Sequence, residues 1–356
     1  MKLRYLSYKE DFVKDGANSW ELEKLLLGKN AVILGQNSTG KTRIINVIQN
    51  FAKLLQKQQI FNGNWVAIFC DDQDRKYKYC LSCEGGKVIS EKVFIDGIKK
   101  MDRTSTSAQI FSESANEWER ISLGQDKLLP YIQKDNAEYP FLSKIFTWAA
   151  GVRTFSFPNT SPNQIEIPAS PKHLTSLNAV PSVLDQLDGE QVRTVLAQLE
   201  KMGYNLETVS AGTAEGLPPT AKIIFFKEHG IENALKQVEI SQGIYRAFAM
   251  LTIMGFLRSD KETSTVLIDD FGEGLDGERS KKLAQILFRE KFPFQIIATS
   301  NDPDLLGAVP LPYVSICYRV QGKVKCLSYS GAKEKFDQWQ QRALNNFDLF
   351  SQEELK

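Results

Sequence analysis

The stretch Gly35-Gln-Asn-Ser-Thr-Gly40-Lys41-Thr42 decides the fold of this 356-residue chain, because it matches the pattern G-x-x-x-x-G-K-[ST]. The apolar run Ala31-Val-Ile-Leu34 precedes it and predicts a buried strand. The residues that follow predict an amphipathic helix, with Ile44, Ile48 and Phe51 on one face. A chance glycine-rich turn is the alternative, but the flanking strand and helix favour a phosphate-binding loop.

The chemistry of this loop follows from its residue types. Glycines let backbone N–H groups surround a phosphate, and the helix N-terminus adds a favourable dipole. Lys41 supplies the positive charge for the β- and γ-phosphates, and the Thr42 hydroxyl is a candidate Mg²⁺ ligand. The candidate nucleotide-binding residues of the loop are Gly35, Asn37, Ser38, Thr39, Gly40, Lys41 and Thr42.

A second segment, Val266-Leu-Ile-Asp269-Asp270, reads as an apolar strand that ends in two carboxylates. In P-loop NTPases such an acid completes the Mg²⁺ shell, and we assign this role to Asp269. Asp270 would then face the γ-phosphate, where a carboxylate can orient or deprotonate the attacking water. The alternative is an acidic strand end that leads into a turn, and the phosphate loop favours the functional interpretation.

A third segment, Ile240-Ser241-Gln242-Gly243-Ile-Tyr245-Arg246, stands at the start of a predicted buried helix. A serine and a glycine at a helix N-terminus can form a second anion site. Serine caps are common, so the segment alone is weak. Its position about 20 residues before the acidic strand is what gives it weight.

Taken in order, these segments resemble the ATPase head of the ABC superfamily. Gly274-Leu275-Asp276 and Ala298-Thr-Ser-Asn301-Asp302 complete the series. The chain looks most like the SMC/RecF/overcoming-lysogenization-defect type, and Leu267-Ile-Asp-Asp-Phe271 is particularly similar to RecF. The overall layout, including the ending Phe347-Asp-Leu-Phe350, resembles the short stand-alone ATPases of bacterial anti-phage systems. These motifs are specific for the superfamily and not for a biological role.

The resemblance implies that ATP and Mg²⁺ bind between two copies of the chain. Ser241 and Gly243 would contact the γ-phosphate held by the partner copy, and Asp276 would be the D-loop residue that crosses the same interface. Two positions depart from the family: the catalytic acid is Asp270 instead of the frequent Glu, and the switch residue is Asn301 instead of the common His. Because an amide cannot take up a proton near neutral pH, we expect slow or partner-gated hydrolysis.

Two assignments stay open at this stage. For the Q-loop glutamine, Gln109 and Gln125 are candidates by position only. For stacking on the adenine ring, the candidates are Tyr5 and Tyr8, and the sequence gives no way to choose.

The element pattern predicts an α/β fold, namely a P-loop ABC-type ATPase head with a mostly parallel core sheet. We expect an antiparallel β lobe, a helical insert and no coiled-coil arm, since no long heptad run occurs. The predicted divisions are an N-terminal lobe at 1–100, an insert at 101–220, a C-terminal lobe at 221–330 and a helical tail at 331–356. Residues 101–122 are polar and rich in Ser and Thr, which predicts a long loop.

Composition narrows the class of protein. The 44 Lys and Arg residues against 43 Asp and Glu residues give a net charge of +1, which excludes a chain-wide basic field for nucleic acid but not a local basic face. No apolar run reaches the roughly 20 residues that cross a bilayer, so we expect a cytoplasmic protein without a membrane partner. Five cysteines are too sparse for a disulfide scaffold, and Cys80 and Cys83 would point to opposite faces of one strand.

The leading hypothesis is an ATPase that forms a homodimer on ATP and couples its nucleotide state to a separately encoded effector protein in phage defence. A RecF-like ATPase in DNA repair or recombination is the main alternative. The double-acid strand favours that alternative, and the near-zero net charge does not. A nucleotide-binding module that never hydrolyses ATP is a third reading.

Overall fold

The computed structural model describes residues 1–10, 20–56, 60–122, 124–132, 137–164, 174–213, 216 and 221–342. Over these residues a mixed sheet of 14 strands dominates the architecture, and a second sheet has 3 strands. The first ten strands are β1 (Lys2–Lys9), β2 (Glu21–Leu26), β3 (Ala31–Leu34), β4 (Gly63–Cys70), β5 (Lys76–Glu84), β6 (Lys87–Ile95), β7 (Ile98–Thr104), β8 (Ala108–Ser112), β9 (Glu117–Ile121) and β10 (Val152–Ser156). The others are β11 (Leu206–Thr213), β12 (Lys222–Glu228), β13 (Leu235–Lys236), β14 (Thr265–Asp269), β15 (Gln295–Ser300), β16 (Val314–Val320) and β17 (Lys323–Ser328).

The helices flank the large sheet. They are α1 (Lys41–Gln56), α2 (Leu129–Ile132), α3 (Pro140–Ala150), α4 (Val180–Leu184), α5 (Gly189–Lys201), α6 (Gln242–Ser259), α7 (Gly277–Arg289), α8 (Leu305–Ala308) and α9 (Lys333–Arg342). Within the described part of the chain none of them is long and apolar enough to cross a membrane. The longest of these is α6, with 18 residues. The absence of a coiled-coil arm stays a prediction.

The large sheet changes character along its width. Its order is β10-β14-β15-β3-β16-β17-β2-β1-β4-β5-β6-β7-β8-β9. From β10 through β14, β15 and β3 to β16, neighbouring strands are parallel. The strand β17 is antiparallel to β16 and parallel to β2. From β2 through β1 and β4 to β9, neighbouring strands are antiparallel. The parallel core and the antiparallel lobe, both predicted, are therefore two ends of one continuous sheet.

Apolar cores cover both faces of the parallel strands. Val32 and Leu34 of β3 belong to the core that contains α5, α6 and α7, while Ala31 and Ile33 belong to the core with α1 and α3. A parallel strand buried on both faces needs a continuous apolar run, which is what the sequence shows there. The helix α6 is apolar nearly all round because it lies inside the first core.

The predicted strand Ala31–Leu34 and the amphipathic helix after the glycine-rich loop are confirmed, and the predicted loop at 101–122 is wrong. The hairpin β5–β6 turns at Gly85 and Gly86, both with positive φ, and Asp188 caps α5. Residues 101–122, predicted as a loop, instead belong to β7, β8 and β9 at the edge of the sheet. Exposed edge strands carry polar side chains, so their apolar alternation is weak. The predicted domain divisions stay predictions, and β7 spans the one proposed at residue 100.

The cysteines show one feature that the sequence did not predict. Cys317 and Cys326, paired directly across β16 and β17, form a disulfide. Cys80 and Cys83 are free thiols on opposite faces of β5, as predicted, with Cys83 buried. At the C-terminal end, Phe336 and Trp339 of α9 are buried in the core, while Leu344 and the ending Phe347–Phe350 lie outside the described residues.

Candidate functional site

Three neighbouring parallel strands bring the predicted motifs to one edge of the sheet. Asp269 ends β14, Ser300 ends β15 and Gly35 follows β3. The Gly35 N–H donates to the Ser300 carbonyl at 3.2 Å, which ties the loop to the neighbouring strand end. Ligands of open α/β sheets bind outside the carboxyl ends of the strands, so this edge is the candidate site.

The candidate phosphate-binding loop turns tightly between β3 and α1. Ser38 and Gly40 have positive φ values of 66° and 102°, and the Thr39 hydroxyl donates to the Gln36 carbonyl at 2.9 Å. Lys41, which is only 5% exposed, donates from Nζ to the carbonyls of Gly35 and Gln36 at 2.9 Å each. The lysine therefore folds back over the loop, with its charge held above the backbone.

Close approach of neighbouring strands explains the two glycines of the loop. A Cβ at Gly35 would lie 2.6 Å from the Cys317 carbonyl oxygen and 2.9 Å from Thr39 Oγ1. A Cβ at Gly40 would lie 3.1 Å from Trp20 Nε1 and 3.2 Å from Val324 Cγ2. The hairpin β16–β17 thus packs against the back of the loop, where a Cβ would clash at Gly35 and would be tightly packed at Gly40.

Thr299 organises the acidic end of β14. Its hydroxyl donates to Asp269 Oδ1 at 2.8 Å and accepts the Asp270 N–H at 3.0 Å. Thr299 is fully buried, so these bonds fix where the two carboxylates diverge. Asp270 has a positive φ of 48°, a conformation that non-glycine residues seldom adopt. Strained backbone conformations of this kind persist only where the surrounding structure enforces them, and they are frequent at functional sites.

The charges at this edge perturb one another. Burial and the neighbouring Asp269 carboxylate raise the pKa of Asp270, while Lys41 opposes the shift. Burial lowers the pKa of Lys41, and Asp270 and Asp269 oppose that shift. Perturbed carboxyl and amino groups in one cleft are typical of a functional site.

Two adjoining cavities receive the predicted residues. The larger, about 780 Å³, is lined by Asn37, Ser38, Gly40, Lys41, Thr42 and Asp270, and also by Tyr8 and Asn62. The smaller, about 370 Å³, is lined by both predicted Mg²⁺ ligands, Thr42 and Asp269. Asn301 joins this group because its Nδ2 donates to Asn37 Oδ1 at 3.2 Å. Of the two tyrosines left open, Tyr8 lines the larger cavity and donates to the Asn62 carbonyl.

The other predicted residues form a separate cluster. Ser241 is the N-cap of α6, and its Oγ accepts the Ile244 N–H at 3.3 Å. Asp276 caps α7 by accepting the Arg279 N–H at 3.0 Å, and this bond lowers the pKa of Asp276. A Cβ at Gly243 would lie 3.3 Å from the Gly274 carbonyl oxygen, so the two segments are in contact. Among the described residues, Ser241, Gly243 and Asp276 do not line either cavity.

Sequence reasoning missed two polar residues at the end of β10 and just after it. Ser156 and Asn159 line the smaller cavity beside Thr42 and Asp269, because β10 is the parallel neighbour of β14. The two positional candidates, Gln109 and Gln125, lie in β8 and in the turn after β9 and do not line either cavity. A strand followed by a polar turn near residue 156 was the available signal.

Comparisons with known proteins address the fold. No protein-family model matches the sequence, and a search of the curated proteins gives no match. Among solved structures, the Smc head bound to the C-winged helix domain of ScpA matches with a TM-score of 0.54 and 13% identity, covering 94% of this chain and 100% of that one.

Two further SMC heads match with a TM-score of 0.49 and 11% identity each. The match to the head domain from Thermotoga maritima covers 92% of this chain and 99% of that domain. The head with an extended coiled coil, bound to the C-terminal domain of ScpA and derived from Pyrococcus furiosus, covers 94% and 98%. The fold assignment rests on the first match, whose TM-score exceeds 0.5 and which covers nearly the whole of both chains. The chain has the fold of an SMC head domain.

Proposed function

We propose that this chain is an ATP-binding and ATP-hydrolysing switch of the ABC/SMC type, which closes as a homodimer on ATP. The observation that carries the proposal is the gathering of Lys41, Asp269, Asp270 and Asn301 at one sheet edge around the glycine-rich loop. A lysine, the Asp270 carboxylate and a helix N-terminus at a cavity of about 780 Å³, with Asp269 at the adjoining smaller cavity, suit a nucleoside triphosphate.

The donor set at the smaller cavity fits Mg²⁺. The Thr42 hydroxyl and the Asp269 carboxylate are hard oxygen ligands, which Mg²⁺ prefers, and a magnesium ion in such a site keeps several waters. The bond from Thr299 holds Asp269 Oδ1, which orients the carboxylate as an outer-shell partner would. A bound Mg²⁺ would neutralise charge on the β- and γ-phosphates.

The protein's own groups divide the remaining work. Lys41 binds the phosphates. Its Nζ then donates to phosphate oxygens in place of the Gly35 and Gln36 carbonyls. Asp270 accepts a proton from the attacking water, and its raised pKa makes it a stronger base than an ordinary aspartate. Asn301, held against Asn37, orients the γ-phosphate region without taking up a proton. Because the amide of Asn301 cannot take up a proton, this arrangement supports slow hydrolysis.

The dimer is supported by the position of the second cluster. Gly243 lies against Gly274 and Leu275, the residues just before Asp276, and Ser241, Gly243 and Asp276 do not line the cavities of their own chain. Two exposed helix N-termini at one surface can accept the phosphates held by a second copy. Closure on ATP and reopening after hydrolysis would then couple nucleotide state to the shape of the dimer.

A partner protein and a role in anti-phage defence complete the proposal. One solved structure with this fold is an SMC head bound to a domain of another protein, which is a precedent for a protein partner. The defence role rests on the resemblance of the motif layout to stand-alone anti-phage ATPases.

Steady-state ATP hydrolysis by the purified chain tests the proposal, with and without duplex DNA. We expect slow, magnesium-dependent phosphate release that DNA does not change, and its loss in Lys41→Ala together with ATP binding. Arg258→Ala, on an exposed side chain of α6, is the matched control and should retain both. Strong stimulation by DNA would favour a RecF-like ATPase, and failure of the wild-type chain to bind ATP would refute the proposal.

A further inference from the structure

Arg246 connects three segments of the proposed switch. It lies on α6, five residues after Ser241, and is 3% exposed. Its guanidinium donates to main-chain carbonyls of two other segments and to one carboxylate. A buried guanidinium with its N–H groups bonded in this way is held in one orientation, since arginine presents its donors in a rigid planar fork.

One set of these bonds reaches the turn that contains Asp270. Arg246 Nη1 donates to the Glu273 carbonyl at 2.7 Å and to Glu273 Oε2 at 2.6 Å. The Glu273 N–H in turn donates to the Asp270 carbonyl at 3.1 Å. Glu273 is therefore hydrogen-bonded both to the candidate base and to the arginine, and it links the two.

A second set reaches the turn after β10. Arg246 Nε donates to the Thr160 carbonyl at 3.0 Å, and Nη2 donates to the Pro158 carbonyl at 3.3 Å. The same turn supplies Asn159 to the smaller cavity, and its Phe157 N–H donates to the Asp269 carbonyl at 3.1 Å. A change at the predicted Mg²⁺ side thus reaches Arg246 through main-chain bonds.

The fit of Gly274 shows how tightly the guanidinium is held. Gly274 has a φ of 79°, and a Cβ there would lie 2.0 Å from Arg246 Nη1. The carbonyl of Gly274 lies beside Gly243, at 3.3 Å from the position of a Cβ on that residue. The turn at 272–275 is therefore packed between Arg246 on one side and the start of α6 on the other.

We propose that Arg246 is a positioning residue that couples the nucleotide edge of one chain to its own dimer-facing surface. The inference rests on the proposed function. It names the residue that links ATP binding to dimerisation. Movement of the turns at 158–160 and 272–275 on ATP binding would displace the guanidinium and, with it, the helix that begins after Ser241. A purely structural arginine would hold the same turns whether or not ATP is bound.

The test compares Arg246→Met with Arg258→Met in the full chain. Arg258 lies on the same helix, but its side chain is 45% exposed and pairs with Glu290, so it is a control for loss of an arginine from α6. For Arg246→Met we expect an ATP Kd and a KM within about threefold of wild type, with kcat and ATP-dependent dimerisation each reduced about tenfold or more. Arg258→Met should match wild type in all of these.

Amide hydrogen exchange adds a readout that a structural role would not move. In wild type, ATP should slow exchange both at the phosphate loop and at 272–276. In Arg246→Met the slowing should persist at the phosphate loop and vanish at 272–276. If the variant keeps the wild-type difference between the ATP-bound and ATP-free states at both segments, the coupling role is refuted even where overall stability has fallen.

A second variant guards against misfolding. Glu273→Gln removes only a carboxylate that is 48% exposed and leaves the carbonyl acceptor in place, so the chain should fold. We expect kcat to fall about twofold to fivefold with unchanged ATP affinity. The inference is overturned if Glu273→Gln turns over ATP at the wild-type rate and Arg246→Met either behaves as wild type or does not fold. Absence of ATP binding in the wild-type chain would instead refute the proposed function.

Discussion

Replacing Asp270 by asparagine removes the proposed base with the smallest structural change that the site allows. Asp270 has a φ of 48°, and asparagine, like aspartate, tolerates this left-handed region. The Asp270 N–H keeps its acceptor, Thr299 Oγ1, because that bond involves the backbone. Alanine would add about 1–2 kcal/mol of backbone strain at the same position and confuse the result.

The expected loss of activity is large and specific to the chemical step. A positioned general base contributes about 100-fold to 10,000-fold, so kcat should fall by about 100-fold or more. ATP affinity should be retained or increased, since a negative charge beside Asp269 and close to the phosphates disappears. The variant should therefore accumulate as the ATP-bound form, and dimers should persist in ATP.

The pH dependence follows from the direction of the pKa shift. Burial and Asp269 raise the pKa of Asp270 in the folded chain, so ionised Asp270 destabilises the fold. A carboxyl group with a raised folded pKa contributes stability below its unfolded pKa and loses it as the pH rises through the folded pKa. Asp270→Asn should therefore unfold at a higher temperature than wild type near neutral pH, and this difference should shrink on acidification. Wild-type turnover should decrease as the pH falls through the raised pKa.

Phosphate release and equilibrium binding of a fluorescent ATP analogue measure these effects. Glu117→Gln is the matched control, since that carboxylate is exposed on β9, the last strand at the antiparallel end of the large sheet, and its turnover should be unchanged. A kcat for Asp270→Asn within about threefold of wild type would refute the role of Asp270 as the base. Weaker ATP binding would contradict the electrostatic argument.

Two further predictions concern the interface and the back of the loop. Ser241→Arg should leave ATP binding intact and abolish ATP-dependent dimerisation measured by light scattering, because a bulky charge would enter the closed interface; unchanged dimerisation would contradict the assignment. Gly35→Ala should lower the free energy of unfolding in urea by about 1–3 kcal/mol, since its Cβ would lie 2.6 Å from the Cys317 carbonyl oxygen. Gly255→Ala, in α6 with nothing within 4 Å of its Cβ, should be stabilising by up to about 1 kcal/mol, and equal effects would show that packing behind the loop is unimportant.

The sequence predicted the parts of the fold that local patterns encode. The buried strands β3 and β14 are short apolar runs with turn signals at their ends, and α6 is apolar nearly all round, so each was recognisable alone. The strands β7 to β9 were missed because their exposed faces carry polar residues. The placement of β16 and β17 between β3 and β2 depends on pairings with segments hundreds of residues away, which no local pattern records.

The candidate site divides in the same way. The loop and the acidic strand end were recognisable in the sequence because the proposed phosphate and Mg²⁺ chemistry demands particular residues at fixed spacing. Thr299, Ser156 and Asn159 were not, although they border the same carboxylates. Their positions follow from strand order: β10 and β15 flank β14, so residues at the ends of those strands meet Asp269. The assembled sheet is what brings these residues to Asp269.

Residue type alone leaves the second cluster ambiguous, and geometry shows why. Ser241 and Asp276 each cap a helix, so local stability accounts for a serine and an aspartate there without any function. Loss of a cap costs about 1 kcal/mol, and it does not reach the phosphate loop of the same chain. A dimer that requires Ser241 must therefore fail in a variant that still binds ATP at its own loop. The separation of the two clusters within one chain makes these two outcomes distinguishable, because neither Ser241 nor Asp276, as described, lines the cavities beside Lys41.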